Sequence, residues 1–173
     1  MDLNNKEDLL KKTLNIYFNN TDNKNILINI LNNTYNISLR IIDWFVTNYC
    51  KKNNISWEVN NMRFVVYLNY KLQLKAYSKK YFDPFCRRDR IYFHYDNTTN
   101  FLITTVGQLN FIKWMIDNNI INYIIEHYNI IEQDMQNTIK IKKLKYKNKR
   151  TELSQSATKS INKNKINIVL KFE

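Results

Sequence analysis

The chain contains a single glycine, Gly107, and a single proline, Pro84, among its 173 residues. Glycine is the residue that best allows the backbone to approach a bound phosphate group closely. Walker-type phosphate loops and dinucleotide-binding turns both need several glycines within a few positions. The sequence therefore excludes nucleotide-binding sites of both kinds.

The scarcity of glycine is part of a wider bias in composition. Asn, Ile, Lys and Tyr make up 85 of the 173 residues, and all four have AT-rich codons. We interpret this as genome bias, so the numbers of Asn and Lys are weak indicators of function. The length suits one domain with extensions, and a hydrophobic content of 44% predicts a folded protein.

The basic charge is unevenly distributed along the chain, whose net charge is +12. Residues 138–173 contain eleven basic and two acidic residues, whereas residues 1–137 contain sixteen and thirteen. Three quarters of the net charge thus lies in the last fifth of the chain. Such a field predicts an acidic partner, which we take to be nucleic acid, an anionic membrane face or an acidic protein.

The pattern of apolar residues predicts an α+β fold with three segments. Residues 1–37 are expected to form an N-terminal helix and an Asn-rich linker, and residues 138–173 a basic C-terminal arm. Between them, residues 38–137 are expected to form the core domain: a helix, a small antiparallel sheet of three or four strands, and C-terminal helices. Ser38 is a suitable N-cap for the first core helix.

The strands are predicted from alternation of apolar and polar residues. Residues 55–59 alternate, and a period of two runs from Arg63 through residues 68–76, although from Leu72 a short helix is the alternative. Residues 91–95 and 101–104 suggest two further strands joined by a turn. Thr105 and Gln108 match a capping box at the start of a helix. A break at residues 118–119 separates it from a second helix, expected at 120–136.

Catalytic chemistry has little support in the sequence. No spacing of Cys and His residues matches a zinc site, and His94 and His127 stand alone. Cys86 beside Arg87 is a conceivable nucleophile, since basic neighbours lower a thiol pKa, but no base accompanies it. We therefore expect a protein that is not an enzyme and needs no cofactor or metal.

The location of the protein is predicted from what the sequence lacks. Two cysteines make no disulfide framework, and the first residues do not resemble a signal peptide. No apolar run is long enough to span a membrane. An intracellular protein with reduced thiols is expected.

The segment from Lys79 to Arg90 is the first candidate binding site, because it combines clustered basic residues with aromatic ones. Arginine makes bidentate contacts with phosphate, and aromatic rings stack on unpaired bases. The alternative is that the rings anchor the loop. The candidate residues here are Lys79, Lys80, Tyr81, Phe82, Phe85, Arg87, Arg88 and Arg90.

The basic arm is the second candidate, as a source of sequence-independent attraction to phosphate. A solvating extension is the alternative. Its candidate residues are Lys140, Lys142, Lys143, Lys145, Lys147, Lys149 and Arg150. Together the two segments predict a nucleic-acid-binding protein; a structural or adaptor protein that docks an acidic surface is the second hypothesis.

Four blocks of sequence stand out: SLRIIDWFVTNYCKK (38–52), YSKKYFDPFCRRDRI (77–91), TTVGQLNFIKW (104–114) and KRTELSQSATKSINKNKINIVLKFE (149–173). They resemble a family of small proteins from nucleocytoplasmic large DNA viruses, particularly relatives of the mimiviruses. The resemblance implies a viral factory in host cytoplasm, or a virion, as the setting. It implies no activity and no catalytic residues.

Overall fold

The computed structural model describes residues 3–35, 37–85, 89–95 and 101–147. The described residues up to Gln136 form one compact unit, and those from Asn137 belong to a second. The helices are α1 (Leu3–Phe18), α2 (Thr21–Leu31), α3 (Leu39–Trp44), α4 (Cys50–Asn53), α5 (Val66–Tyr81), α6 (Val106–Asp117), α7 (Ile120–Glu126) and α8 (Tyr128–Lys147). A π-helical turn, Phe45–Tyr49, joins α3 to α4. The strands are β1 (Ser56–Val59), β2 (Met62–Val65), β3 (Arg90–His94) and β4 (Phe101–Thr105).

The predicted α+β class is confirmed, but the strands are arranged differently from the single sheet expected. In the described residues, β1 pairs only with β2 and β3 only with β4, each pair antiparallel. The β1–β2 hairpin turns at Asn60 and Asn61, with φ angles of 51° and 60°. Two successive residues with positive φ are typical of a two-residue hairpin turn, and asparagine tolerates this conformation better than most residues.

The two predicted N-caps are confirmed. Ser38 accepts a hydrogen bond from the Ile41 amide at 3.3 Å, and Thr105 accepts one from the Gln108 amide at 3.1 Å. The Gln108 side chain does not complete a reciprocal capping box. Its amide nitrogen donates instead to the carbonyl of Pro84 at 2.8 Å, so Gln108 ties the segment after α5 to the start of α6.

The strand predicted from residue 68 is wrong, and the helical alternative from Leu72 is the observed structure, because the whole stretch lies in α5. Val66 and Tyr70 are buried and Leu74 is half-buried, whereas Leu68 and Leu72 are exposed. Residues four positions apart lie on the same face of a helix and also on the same face of a strand, so this spacing does not distinguish the two structures. The burial pattern therefore follows the helix, and two of the three alternating leucines are exposed.

Two further boundaries differ from the sequence interpretation. The Asn-rich stretch expected as a linker contains α2, which the Asn20 side chain caps and whose Leu27 and Ile30 are buried. The helix expected at 120–136 is divided at His127, and α8 continues to Lys147. Helix α2 was hard to predict from the sequence because most of its residues are polar and only a narrow stripe of it is buried.

Helix α6 lies at the centre of the first unit. Helices α1, α2, α5 and α7 and strand β4 all pack against it. It buries residues on every side, including Phe111, Ile112 and Trp114. A helix buried in this way fixes its neighbours, so it positions both α1 and the β3–β4 hairpin.

Candidate nucleic-acid interface

Phe82 anchors the Lys79–Arg90 segment in the core. Its side chain is fully buried, at 0% exposure. The ring centroid lies 5.2 Å from that of Phe111, 5.4 Å from Trp114 and 6.0 Å from Tyr70. Of the two roles that the sequence allowed, stacking on bases or anchoring the loop, Phe82 has the geometry of the second.

Lys80 and Tyr81 fasten this segment to α1 through Glu7. The Tyr81 hydroxyl donates to Glu7 Oε2 at 2.9 Å, and Lys80 Nζ lies 3.2 Å from the same oxygen. Lys11 contacts the other carboxylate oxygen at 3.0 Å. Hydrogen bonding, most strongly from Lys11 and then from Tyr81, lowers the pKa of Glu7 to about 2. Lys80 and Tyr81 therefore have a structural role, because their contacts with Glu7 connect α5 to α1.

Three members of this segment have exposed side chains that form no ion pair or ring contact with another described residue: Lys79, Phe85 and Arg90. Phe85 is 43% exposed, and its amide donates to the Asp83 carboxylate at 2.8 Å. Arg90 is exposed at the start of β3. Arg87 and Arg88 lie outside the described residues.

The carboxyl group of Asp43, on α3, interacts electrostatically with this segment. Burial raises the pKa of Asp43, and the charge of Asp83 raises it further, whereas Lys79 lowers it. Lys79 is therefore within electrostatic reach of Asp43. Its attraction for an external phosphate is weaker than its exposure alone suggests.

The basic arm begins on a helix. Lys140, Lys142 and Lys143 are exposed on the last turns of α8, and the helical backbone continues through positions 145 and 147. Lys149 and Arg150 lie outside the described residues, as does the rest of the arm. Helical spacing places positions 140, 143 and 147 on one face. A stripe of cations on a helix suits contact with a phosphate backbone.

The sequence interpretation missed an exposed face on the β3–β4 hairpin. In the register of this hairpin, Tyr92 lies opposite Ile103, and His94 lies opposite Phe101. All four side chains are exposed, and Tyr92 reaches 67%. The Phe101 ring lies 5.1 Å from that of Tyr92 and 5.9 Å from that of His94, both edge-to-face. The alternation along both strands places these four residues on one face and was the sequence signal that could have revealed it.

A cleft of about 390 Å³ runs between this hairpin and α1. Residues 91–95 form one wall, and the α1 side contributes Lys11, Asn15, Phe18 and Asn19. The Phe18 and Phe93 rings, which are both buried, meet edge-to-face at 5.9 Å. The volume lies within the usual range for small-ligand pockets.

The described cysteine and histidine side chains are not arranged as a catalytic group. Burial raises the pKa of the Cys50 thiol, which keeps it protonated and unreactive. His127 stacks on Tyr123 with ring centroids 4.1 Å apart. Cys86 lies outside the described residues. Within the described ranges, no group of three or more His, Cys, Asp or Glu residues is arranged to hold a metal ion.

The helices of the described residues include none that is long and apolar enough to cross a lipid bilayer. This agrees with the absence of a long apolar run in the sequence.

Comparison with known proteins confirms the viral resemblance. The chain is 43% identical over 150 residues to the Uncharacterized protein L507 of Acanthamoeba polyphaga mimivirus. The aligned part covers 80% of this chain and 58% of that relative, so the chain spans a little over half of the relative's length. No solved structure matches the chain. The profile of the family of unknown function DUF7197 matches residues 3–171, and the chain therefore belongs to this family.

Proposed function

We propose that this protein is a non-enzymatic accessory protein of a large DNA virus that binds the phosphate backbone of nucleic acid. The distribution of charge carries the proposal, with eleven basic and two acidic residues in 138–173. Lysine contacts to phosphate release condensed counterions, and this drives binding without any choice of sequence. A viral factory in host cytoplasm, or the virion, is the setting that we propose.

The end of α8 supplies the described part of the phosphate contact. Residues 137–147 contain five lysines and no acidic residue. The side chains of Lys140, Lys142 and Lys143 are exposed to solvent. A helix that presents cations without intervening carboxylates attracts a polyanion more strongly than a surface of mixed charge.

The Lys79–Arg90 segment contributes less than its composition suggests. Lys80 is engaged with Glu7 and Asp89, at 3.2 Å and 3.6 Å. Arg90 is the described arginine of the segment whose exposure favours a phosphate contact. The proposal therefore relies mainly on α8 and the residues that follow it, with Arg90 in support.

A salt titration of DNA and RNA binding tests the proposal. Fluorescence anisotropy with labelled oligonucleotides would compare the wild-type protein with a triple variant, Lys140→Gln, Lys142→Gln and Lys143→Gln. Each phosphate contact adds about 0.9 to the slope of log affinity against log salt for duplex DNA, so we expect the triple variant to lose about 2 to 3 from that slope.

A matched control removes three exposed lysines elsewhere, with Lys12→Gln, Lys71→Gln and Lys75→Gln. This control changes the net charge equally, so we expect a much smaller loss of slope. Equal effects of the two triple variants would refute a local role for α8. Absence of binding by the wild-type protein at about 50 mM salt would refute the proposal as a whole.

A structural or adaptor role is the second candidate, and an exposed apolar pair on α5 supports it. Leu68 and Leu72 are one helical turn apart and are 59% and 63% exposed. Lys71 and Lys75 flank them, which suits docking to an acidic protein surface. This role is favoured if nucleic acid does not bind at low salt, and if Leu68→Gln with Leu72→Gln abolishes incorporation into purified virions.

A further inference from the structure

We propose that the exposed face of the β3–β4 hairpin and the cleft beside it bind unpaired bases, so that the preferred ligand is single-stranded nucleic acid. This inference rests on the proposed function and deepens it by naming the class of nucleic acid. The two features are adjacent, because Tyr92 and His94 belong to both.

The hairpin face has the composition of a stacking surface. It presents the rings of Tyr92, His94 and Phe101, together with Ile103 and the guanidinium of Arg90. These side chains include one cation and no carboxylate. Aromatic rings on an exposed antiparallel ribbon stack on bases of any sequence, because every base has a π-face. Arg90 at the edge of the face is placed to contact the phosphates that connect such bases.

The cleft adds groups that suit the edge of a base. Residues 91–95 are consecutive and therefore alternate between the two faces of β3, so they line the cleft along the strand's edge. In the described residues, β4 is the only strand paired with β3, and this edge retains backbone donors and acceptors. Asn15 and Asn19, spaced four residues apart on the α1 side, face it across the cleft.

The side-chain amides of these two asparagines are suited to recognising a base. Each amide offers both a donor and an acceptor, the combination that base edges also present. In the described part of the chain, no hydrogen bond engages either amide. Both residues are exposed.

The charge within the cleft favours a base over a phosphate. Its cation, Lys11, is 3.0 Å from Glu7 and 4.0 Å from Asp8, so neighbouring carboxylates already balance it. A neutral polar cleft beside a cationic, aromatic face matches a nucleotide whose base enters the cleft and whose phosphate stays outside near Arg90. A duplex does not expose ring faces in this way, which is why we infer a single strand.

The test compares single-stranded and duplex binding by the full-length protein. Labelled dT20 and rU20 would be measured against a duplex of equal length at the same salt concentration. We expect the wild-type protein to bind the single strands about tenfold more tightly or better. For the variant Tyr92→Ala with Phe101→Ala, we expect a loss of about 10- to 100-fold on single strands, because base stacking contributes on this scale.

Two further variants separate the contributions of the face and the cleft. Asn15→Ala with Asn19→Ala should weaken single-strand binding several-fold and leave duplex affinity and the salt slope unchanged, since no phosphate contact is removed. The control Ile125→Ala with Ile130→Ala removes two exposed apolar side chains elsewhere and should change neither affinity. Circular dichroism would confirm that each variant retains the helical content of the wild-type protein.

The outcomes distinguish this inference from the proposed function. Equal, salt-sensitive binding of single strands and duplex, unaffected by the hairpin variant, would overturn the inference and leave the proposed function standing. Binding to neither ligand would overturn both. An extended peptide of alternating Thr and Val that occupied the cleft, in place of a single strand, would reassign the β3 edge to strand addition.

Discussion

Replacing Phe82 with alanine should destabilise the protein far more than replacing Phe85, which is three residues away. Phe82 is 0% exposed, whereas Phe85 is 43% exposed. The Phe82 ring contacts those of Phe111 and Trp114 in the core. Truncating a buried phenylalanine costs about 3–5 kcal/mol, while most surface substitutions stay within about 0.5 kcal/mol.

Urea denaturation measures this difference directly. For a slope of about 2 kcal/mol per molar urea, Phe82→Ala should lower the unfolding midpoint by about 1.5–2.5 M. The Trp114 ring lies 5.4 Å from that of Phe82, so tryptophan fluorescence reports on the site, and circular dichroism provides a second probe. Total stability of such a unit is about 5–15 kcal/mol, so the milder Phe82→Leu provides a variant that should still fold.

Similar midpoints for Phe82→Ala and Phe85→Ala would refute the assignment of Phe82, and not Phe85, as an anchor. If both midpoints match that of the wild type, neither ring is packed in the core of the folded protein; if both are lowered equally, Phe85 is packed as well as Phe82. If the assignment is right, Phe82→Leu should lie between the wild type and Phe82→Ala, and Phe85→Ala should match the wild type. Nucleic-acid affinity is then informative for Phe85→Ala, because folding is not altered.

Three further predictions concern stability. Because the pKa of Glu7 is lowered in the folded protein, its carboxylate stabilises the fold at pH values above the ordinary pKa of about 4.5, and this contribution is lost as the pH falls toward 2. Glu7→Gln should therefore reduce the free energy of unfolding at pH 7 by about 1 kcal/mol after solvent screening. The variant should also lose less stability than the wild type between pH 5 and pH 2, as measured by urea titration at each pH. Ser38→Ala should lower the free energy of unfolding by about 1 kcal/mol through loss of the N-cap. Asn61, with φ of 60°, should accept Gly with little or no loss, whereas Asn61→Ala should cost about 1 kcal/mol or more, both measured as shifts in thermal midpoint.

The sequence predicted those elements of the fold that have a local chemical signal. Ser38 and Thr105 carry capping hydroxyls, and the strands β3 and β4 alternate clearly. The strand prediction failed in the first half of α5, where an alternation of apolar residues fits a helix as well as a strand, and a helix was the alternative only from Leu72. Burial at Val66 and Tyr70, with exposure at Leu68 and Leu72, depends on tertiary packing and is not encoded in local spacing.

The candidate site was predicted only in outline, for a similar reason. Clustering of charge identified the Lys79–Arg90 segment and the basic arm, because charge is visible in composition. Which aromatic ring is buried depends on partners distant in the chain, such as Phe111 for Phe82. The hairpin face was missed because its rings lie outside any basic run, and only the pairing of His94 with Phe101 brings them together.

The scarcity of glycine connects the fold to the proposed mode of binding. Among the described residues, seven have positive φ angles, and five of these are asparagines: Asn33, Asn54, Asn60, Asn61 and Asn119. Asparagine thus makes the turns that glycine makes in most proteins. It does not replace glycine in a phosphate loop, where a side chain blocks close approach of the backbone. The proposed mode of binding avoids this requirement, because it uses Lys and Arg side chains for phosphate and aromatic rings for bases, and α8 and the β3–β4 hairpin expose groups of these kinds.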